Sequence, residues 1–482
     1  MKLPILPVAV AAFLVVTGQS LADSRTYDPK PWLDDLDQAK TAFATKYANL
    51  EWAVFGRQQD VAKLFDDTAI RIRTASDDNG ARAAFDRLAA RLGDGHVVFR
   101  WPKSGTVPNG ASASLPCEDY NPTMQAAPLV ARAQGYVPLM TPESDIFPAG
   151  VIAQGRYRVG VLKIGLFMAR GTPALCKAAL KALSIPQDEP CDDTCSDRVE
   201  AWAESRMTEV LMHQIEALKR EIIDVLAIDI AGNGGGSEWA EAAARIVTPI
   251  RLKAERIAFM RGPHWAKRFS GYVSDLRADA KKASGSDRAL LLGLANEAAA
   301  KKKVAESACD STSLWKGEHP SCRWLGEGFY ATGALASADP DWLRGKSWAS
   351  DIFSPAQYPY REGVWRGPLI VVVDSDAASA SEEFAAVLQD NHAALIVGEP
   401  TYGAGCGHTD GGTPTTLSNS HAVLELPDCV RLRADGSNEV RGVVPDLLLK
   451  WGHHDGPDLR AGAFLEALPE AIARALTQSH NW

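Results

Sequence analysis

Two segments of this chain repeat one plan, and that plan narrows the fold more than any other feature. In "IDVLAIDIAGNGGGSEWAEAAARIV" an apolar run of strand length meets glycines, and a helix begins near Ser237 or Glu238. In "GPLIVVVDSDAASASEEFAAVLQDNHAALIVGEP" the order is strand, turn, helix, strand. Continuous apolar strands alternating with helices predict a largely parallel sheet covered on both faces, an α/β architecture. In such sheets ligands collect at the carboxyl ends of strands, where helix N-termini offer unpaired N–H groups. Both turns occupy that position.

The remaining chain is organised around these units. Residues 31–92 have helical apolar spacing in "AKTAFATKYANLEWAVF" and "ARAAFDRLAARL". The division expected is a signal segment over 1–22, an N-terminal helical region over 23–100, and a linker or reduced module over 101–156. A core follows over 157–250 and 345–455, interrupted by an inserted helical subdomain over 251–344, with a C-terminal helix over 456–482. At 482 residues the chain is long for one hydrophobic core, and 46% hydrophobic with 23% charged residues is ordinary globular composition. A formal charge of −9, with no basic run interleaved with aromatics, excludes nucleic acid as a partner.

The opening "MKLPILPVAVAAFLVVTGQSLADS" joins a lysine, a short apolar stretch and the small-residue pattern Ser20-Leu21-Ala22. It reads as a secretory signal cleaved after Ala22, giving a periplasmic or secreted protein without stable membrane insertion. Export makes the eight cysteines disulfide candidates. Cys191 and Cys195 lie close together, Cys309 and Cys322 bracket a loop, and Cys406 and Cys429 flank another. No histidine pair or second cysteine pair stands beside "CDDTC", so no metal site is expected there, and no cofactor is implied elsewhere.

Locally, the two turns leave alternatives open. "AGNGGGSE" has neither the phosphate-loop lysine nor a dinucleotide fingerprint. It is a tight turn or, opposite a reactive serine, an oxyanion hole. "SDAASASEEF" is a capped helix start or a nucleophile site, and spacing does not choose among Ser375, Ser379 and Ser381.

Taken together, "DIAGNGGG", "SASE", "VGEPTYGAG" and "GVVPD", in this order, resemble the S41 peptidases, a family that includes carboxyl-terminal processing proteases and the tricorn core protease. The resemblance covers roughly 157–250 and 365–450 and implies a ClpP/crotonase-like ββα core. It implies Ser379 as nucleophile, with the backbone of Ala380 and Gly235 as oxyanion donors. Ala231 stands where the family carries an arginine that braces the loop.

Processing proteases of the family place a lysine base in a Gly-Lys-Gly triplet. Here the triplet is Gly403-Ala404-Gly405, and an alanine cannot accept a proton. "LGDGHVVF" resembles the histidine segment of the tricorn-like branch, which implies His96 as base, with Val97 in place of a threonine. "EVRGVVPD" then implies Glu439 as the acid that orients it. His408, in the loop of the missing lysine, is the rival base. The function implied is an exported serine peptidase acting through an acyl-enzyme on peptides or unfolded proteins. The alternative is an inactive relative that binds a peptide or apolar ligand in the same cleft.

Overall fold

The computed structural model describes residues 27–102, 115–120, 127–452 and 455–480. The expected signal segment and the His453-His454 pair lie outside them.

A seven-stranded sheet forms the centre. Its order is Leu447–Leu448, Leu395–Gly398, Leu369–Val373, Val225–Asp229, Tyr157–Lys163, Ala149–Gln154 and Val137–Pro138. The first five strands pair in parallel and the last two add antiparallel. The stretch expected to be a linker or reduced module thus contributes two strands to this sheet's edge. Strands Val225–Asp229 and Leu369–Val373 are buried along their whole length. Their alternate residues enter two different cores, as a period of two dictates. Leu226, Ile228, Val371 and Val373 pack with Met207, Leu211 and Ile215 of helix Asp193–Arg220 and with Phe384. Val225, Ala227, Ile370 and Val372 pack with Phe464, Leu468 and Ile472 of helix Pro457–Ser479. Each such side chain larger than alanine stabilises the fold by about 1.5–3 kcal/mol relative to exposure.

Two smaller layers carry the site's other parts. The N-terminal helices Lys30–Lys46, Val61–Arg73 and Asp78–Leu92 share a core with strand Val98–Arg100. That strand pairs antiparallel with Val423–Glu425, Val98 facing Glu425, which draws the N-terminal region onto the C-terminal half. The helical hairpin Pro263–Lys282 and Gly285–Ala305 packs on a three-stranded antiparallel sheet, Cys429–Leu432, Arg256–Met260 and Leu325–Tyr330. Disulfides join Cys117 to Cys176, Cys191 to Cys195, Cys309 to Cys322 and Cys406 to Cys429. No helix among the described residues is long and apolar enough to cross a membrane.

Candidate active site

Strand Leu369–Val373 ends at buried Asp374, and helix Ala380–Asp390 starts six residues later with Ser379 as its N-cap. Ser379 has φ 57° and ψ −116°, a conformation that L-residues avoid and that persists only when the surroundings impose it. A sharp strand-to-helix turn of this kind thrusts a serine hydroxyl outward. The other two serines are accounted for differently. Ser381 is fully buried and donates to the carbonyl of Asn233 at 2.7 Å, and Ser375 donates to Glu399 at 3.4 Å. Of the three, Ser379 lines a cavity of about 740 Å³.

Two side chains hold the strained turn. Glu382, three residues into the helix, accepts the Ser379 N–H at 2.9 Å, as half of a capping box does. It also accepts Thr401 Oγ1 at 2.6 Å and the N–H groups of Gly403 and Ala404 at 2.7 and 2.8 Å. One carboxylate therefore fixes both the serine turn and the loop where a lysine is missing. Arg431 donates to the Ser379 carbonyl at 3.1 Å and to the Gly405 carbonyl at 3.0 Å, tying the same two segments from the other side.

His96 reaches this cavity from the N-terminal layer. The helix before it ends at Gly93, at φ 65°, and buried Asp94 accepts the His96 N–H at 3.1 Å. Tyr47 and Asn49 donate to the other Asp94 oxygen, while burial pushes its carboxyl up to about 6. His96 Nδ1 lies 2.7 Å from the Ala404 carbonyl. A carbonyl only accepts, so Nδ1 carries the hydrogen and Nε2 keeps a lone pair, the tautomer a general base needs. Burial, with the Arg431 charge nearby, holds the imidazole below its ordinary pKa.

Glu439 does not hold His96. It lies fully inside the protein, with both oxygens on Arg431: Oε2 on Nε in a very short contact, and Oε1 on Nη2 at 2.9 Å. The single Nδ1 hydrogen of His96 is already on the Ala404 carbonyl, so Glu439 acts on the imidazole through space only. Arg431 also pairs with Glu383 at 2.9 Å and with Glu255 at 3.7 Å. Burial pushes the Glu383 carboxyl up to about 8 and that of Glu255 well above its usual range.

Gly235 also differs from expectation. Its N–H donates to Asn233 Oδ1 at 2.9 Å and is not offered to the cavity. Gly236 lines the cavity instead, as does Ala380, whose N–H, in the first helical residue, has no acceptor within the helix. Gly235 is still indispensable as a glycine. At φ 113°, a Cβ there would sit 2.8 Å from both the Ala378 carbonyl oxygen and Ser379 Cβ. The bracing lost with Ala231 comes from the neighbouring strand: Lys163 Nζ bonds Asp229 at 3.1 Å and the Ala231 carbonyl in a very short contact.

His408 lines the same cavity, its ring centroid 5.5 Å from that of His96. The inserted helix Pro263–Lys282 adds Trp265, Arg268, Phe269 and Tyr272 to the lining. The structure thus brings Ser379, His96, Ala380 and His408 together, and keeps Glu439 and the Gly235 N–H apart from them. Sequence reasoning missed Glu382, Arg431 and the Ala404 carbonyl. Glu382 had a signal, the Ser-x-x-Glu spacing of a capping box.

A helix-capping serine and an imidazole, both lining one cavity at the carboxyl end of a parallel sheet, are groups that a hydrolase uses. The sequence model of Peptidase family S41 matches residues 198–449, just over half of the chain, and the chain belongs to that family. Over 93% of its length it is similar in fold to mature CPAF, at 14% identity and TM-score 0.55, covering 98% of that chain. Mature CPAF complexed with lactacystin gives 14% and 0.54, covering 99% of that chain, and a CPAF mutant gives 14% and 0.59, covering 98%.

Proposed function

We propose that this S41 peptidase is an exported serine enzyme with Ser379 as nucleophile and His96 as base. The observation that carries the reading is the 2.7 Å bond from His96 Nδ1 to the carbonyl of Ala404, the residue that stands in the lysine position. The loop that lost a base has become the support of another one. Ser379 Oγ attacks the peptide carbonyl carbon while its proton passes to His96 Nε2. The oxyanion is met by the N–H of Ala380 and of Gly236, each such donor worth about 3–4 kcal/mol in the transition state. The intermediate collapses as the leaving amine takes the proton from His96, leaving an ester on Ser379. Water, deprotonated by the same nitrogen, hydrolyses the ester and frees the acid. Glu439 supports the relay indirectly, by neutralising the guanidinium beside the imidazole. Four disulfides support an oxidising destination.

A fluorophosphonate label tests this. Labelling should be abolished by Ser379→Ala and kept by Ser381→Ala, and His96→Ala should slow it about 10²–10⁴-fold. Because the folded His96 pKa is depressed, the neutral base forms below pH 6.5. The rate should therefore climb with pH through a midpoint below that of an ordinary imidazole. Absence of labelling in the intact protein would favour the non-catalytic binder.

A further inference from the structure

His408 lines the cavity but has no task in this mechanism. Its Nε2 is buried and has no hydrogen-bond partner among the described residues. A buried nitrogen without a partner costs free energy and calls for an explanation. The ring stands nearly perpendicular to that of His96, at 80°, with centroids 5.5 Å apart. Two imidazoles sharing one tetrahedral zinc at about 2.0–2.1 Å per Zn–N bond bring their ring centroids to roughly 5 Å. His96 is prepared for the same duty, since its Nδ1–H is held by Ala404 and Nε2 keeps its lone pair.

We propose that His96 and His408 form a two-imidazole site for a borderline divalent transition-metal ion of the zinc class. Its occupancy takes the lone pair that the peptide reaction needs, so the ion is an inhibitor and not a cofactor. The inhibitory consequence rests on His96 being the base; the binding does not. Imidazole nitrogens select zinc, copper or nickel over calcium and magnesium. Asp94, Glu425 and Asp428 place negative charge near His408 that favours a cation, against the guanidinium groups of Arg431 and Arg268 that also line the cavity. The next imidazole, His264, is occupied, its Nε2 lying 2.8 Å from the Thr409 carbonyl oxygen and 3.2 Å from Asp428. Among the described residues no cluster of three His, Cys, Asp or Glu side chains is arranged to hold a metal, so water completes the coordination. Such a site binds reversibly and lacks the closed ligand set of a structural metal.

The experiment is calorimetric titration of untagged, chelator-stripped protein with zinc chloride, alongside fluorophosphonate labelling with and without zinc. Zinc should bind at this site and block labelling, and calcium should do neither. His408→Gln and His96→Gln should each weaken the zinc isotherm by roughly tenfold or more, with unfolding curves confirming that both variants remain folded. Zinc binding that neither substitution changes would overturn the proposal, as would labelling indifferent to bound zinc. A protein that binds zinc through both histidines but never labels would retain the site while sinking the peptidase mechanism.

Discussion

At the carboxyl ends of the neighbouring strands Val225–Asp229 and Leu369–Val373, a buried aspartate accepts the amide two residues on. Asp229 takes the Ala231 N–H at 3.0 Å, and Asp374 takes the Asp376 N–H at 3.1 Å. Each aspartate also has a cation, Lys163 for Asp229 and Arg460 for Asp374. From there the two turns diverge. The glycine turn reaches its unusual backbone angles with Gly232, Gly235 and Gly236, residues that adopt them without steric cost, and Asn233 within the turn closes it. The serine turn places a residue with a Cβ at positive φ and is held by groups outside itself, Glu382 from the helix and Arg431 from another sheet. A turn that only shapes a hole can use glycine. A turn that carries a serine at that position cannot, and its strain has to be offset by distant contacts.

The contrast can be broken most forcefully at Arg431. Replacing it with methionine leaves Glu439 and Glu383 buried without their counter-charge and Glu255 with Arg433 alone, a loss of about 3–5 kcal/mol in a urea unfolding series. The loss should shrink at pH 5 relative to pH 8, because the abandoned carboxylates then bind protons in the folded state. An equal loss at both values would mean that the guanidinium is not their electrostatic partner. Next in size is Gly235→Ala, which meets both the positive φ and the 2.8 Å approach to Ser379. It should cost about 1–3 kcal/mol and slow fluorophosphonate labelling; an unchanged midpoint would show that the turn has room to move. Smallest, and opposite in sign, is Ser379→Gly. If the nucleophile position is strained, a residue tolerant of φ 57° should stabilise the fold by up to about 1 kcal/mol while labelling disappears. A lower melting temperature would refute the strain.

The sheet and its two turns were legible because doubly covered strands appear as uninterrupted apolar runs such as "LIVVV", and turn residues punctuate them. Ser379 was legible as part of a motif. The partner of Glu439 was not. A string of letters does not say which of three buried carboxylates receives a guanidinium eight residues away, and "EVRGVVPD" looks the same whether its glutamate faces an imidazole or an arginine. The support of His96 was hidden for a deeper reason, since it is a main-chain carbonyl and any residue at 404 supplies one. The donor at Gly235 failed similarly: three adjacent glycines look alike until the Asn233 side chain takes one of their amides. The strand Ala149–Gln154 lies in the stretch expected to be a linker or reduced module, and its membership of the central sheet depends on a pairing that its own residues do not encode.

A single side chain, Glu382, bonds the amide of Ser379 and two amides of the segment whose Ala404 carbonyl holds the His96 ring. Anything that tugs on residues 401–404, a docking polypeptide included, therefore pulls at the same time on the backbone beneath the hydroxyl. Ser379 and His96 share one tether, and displacement of either is passed to the other.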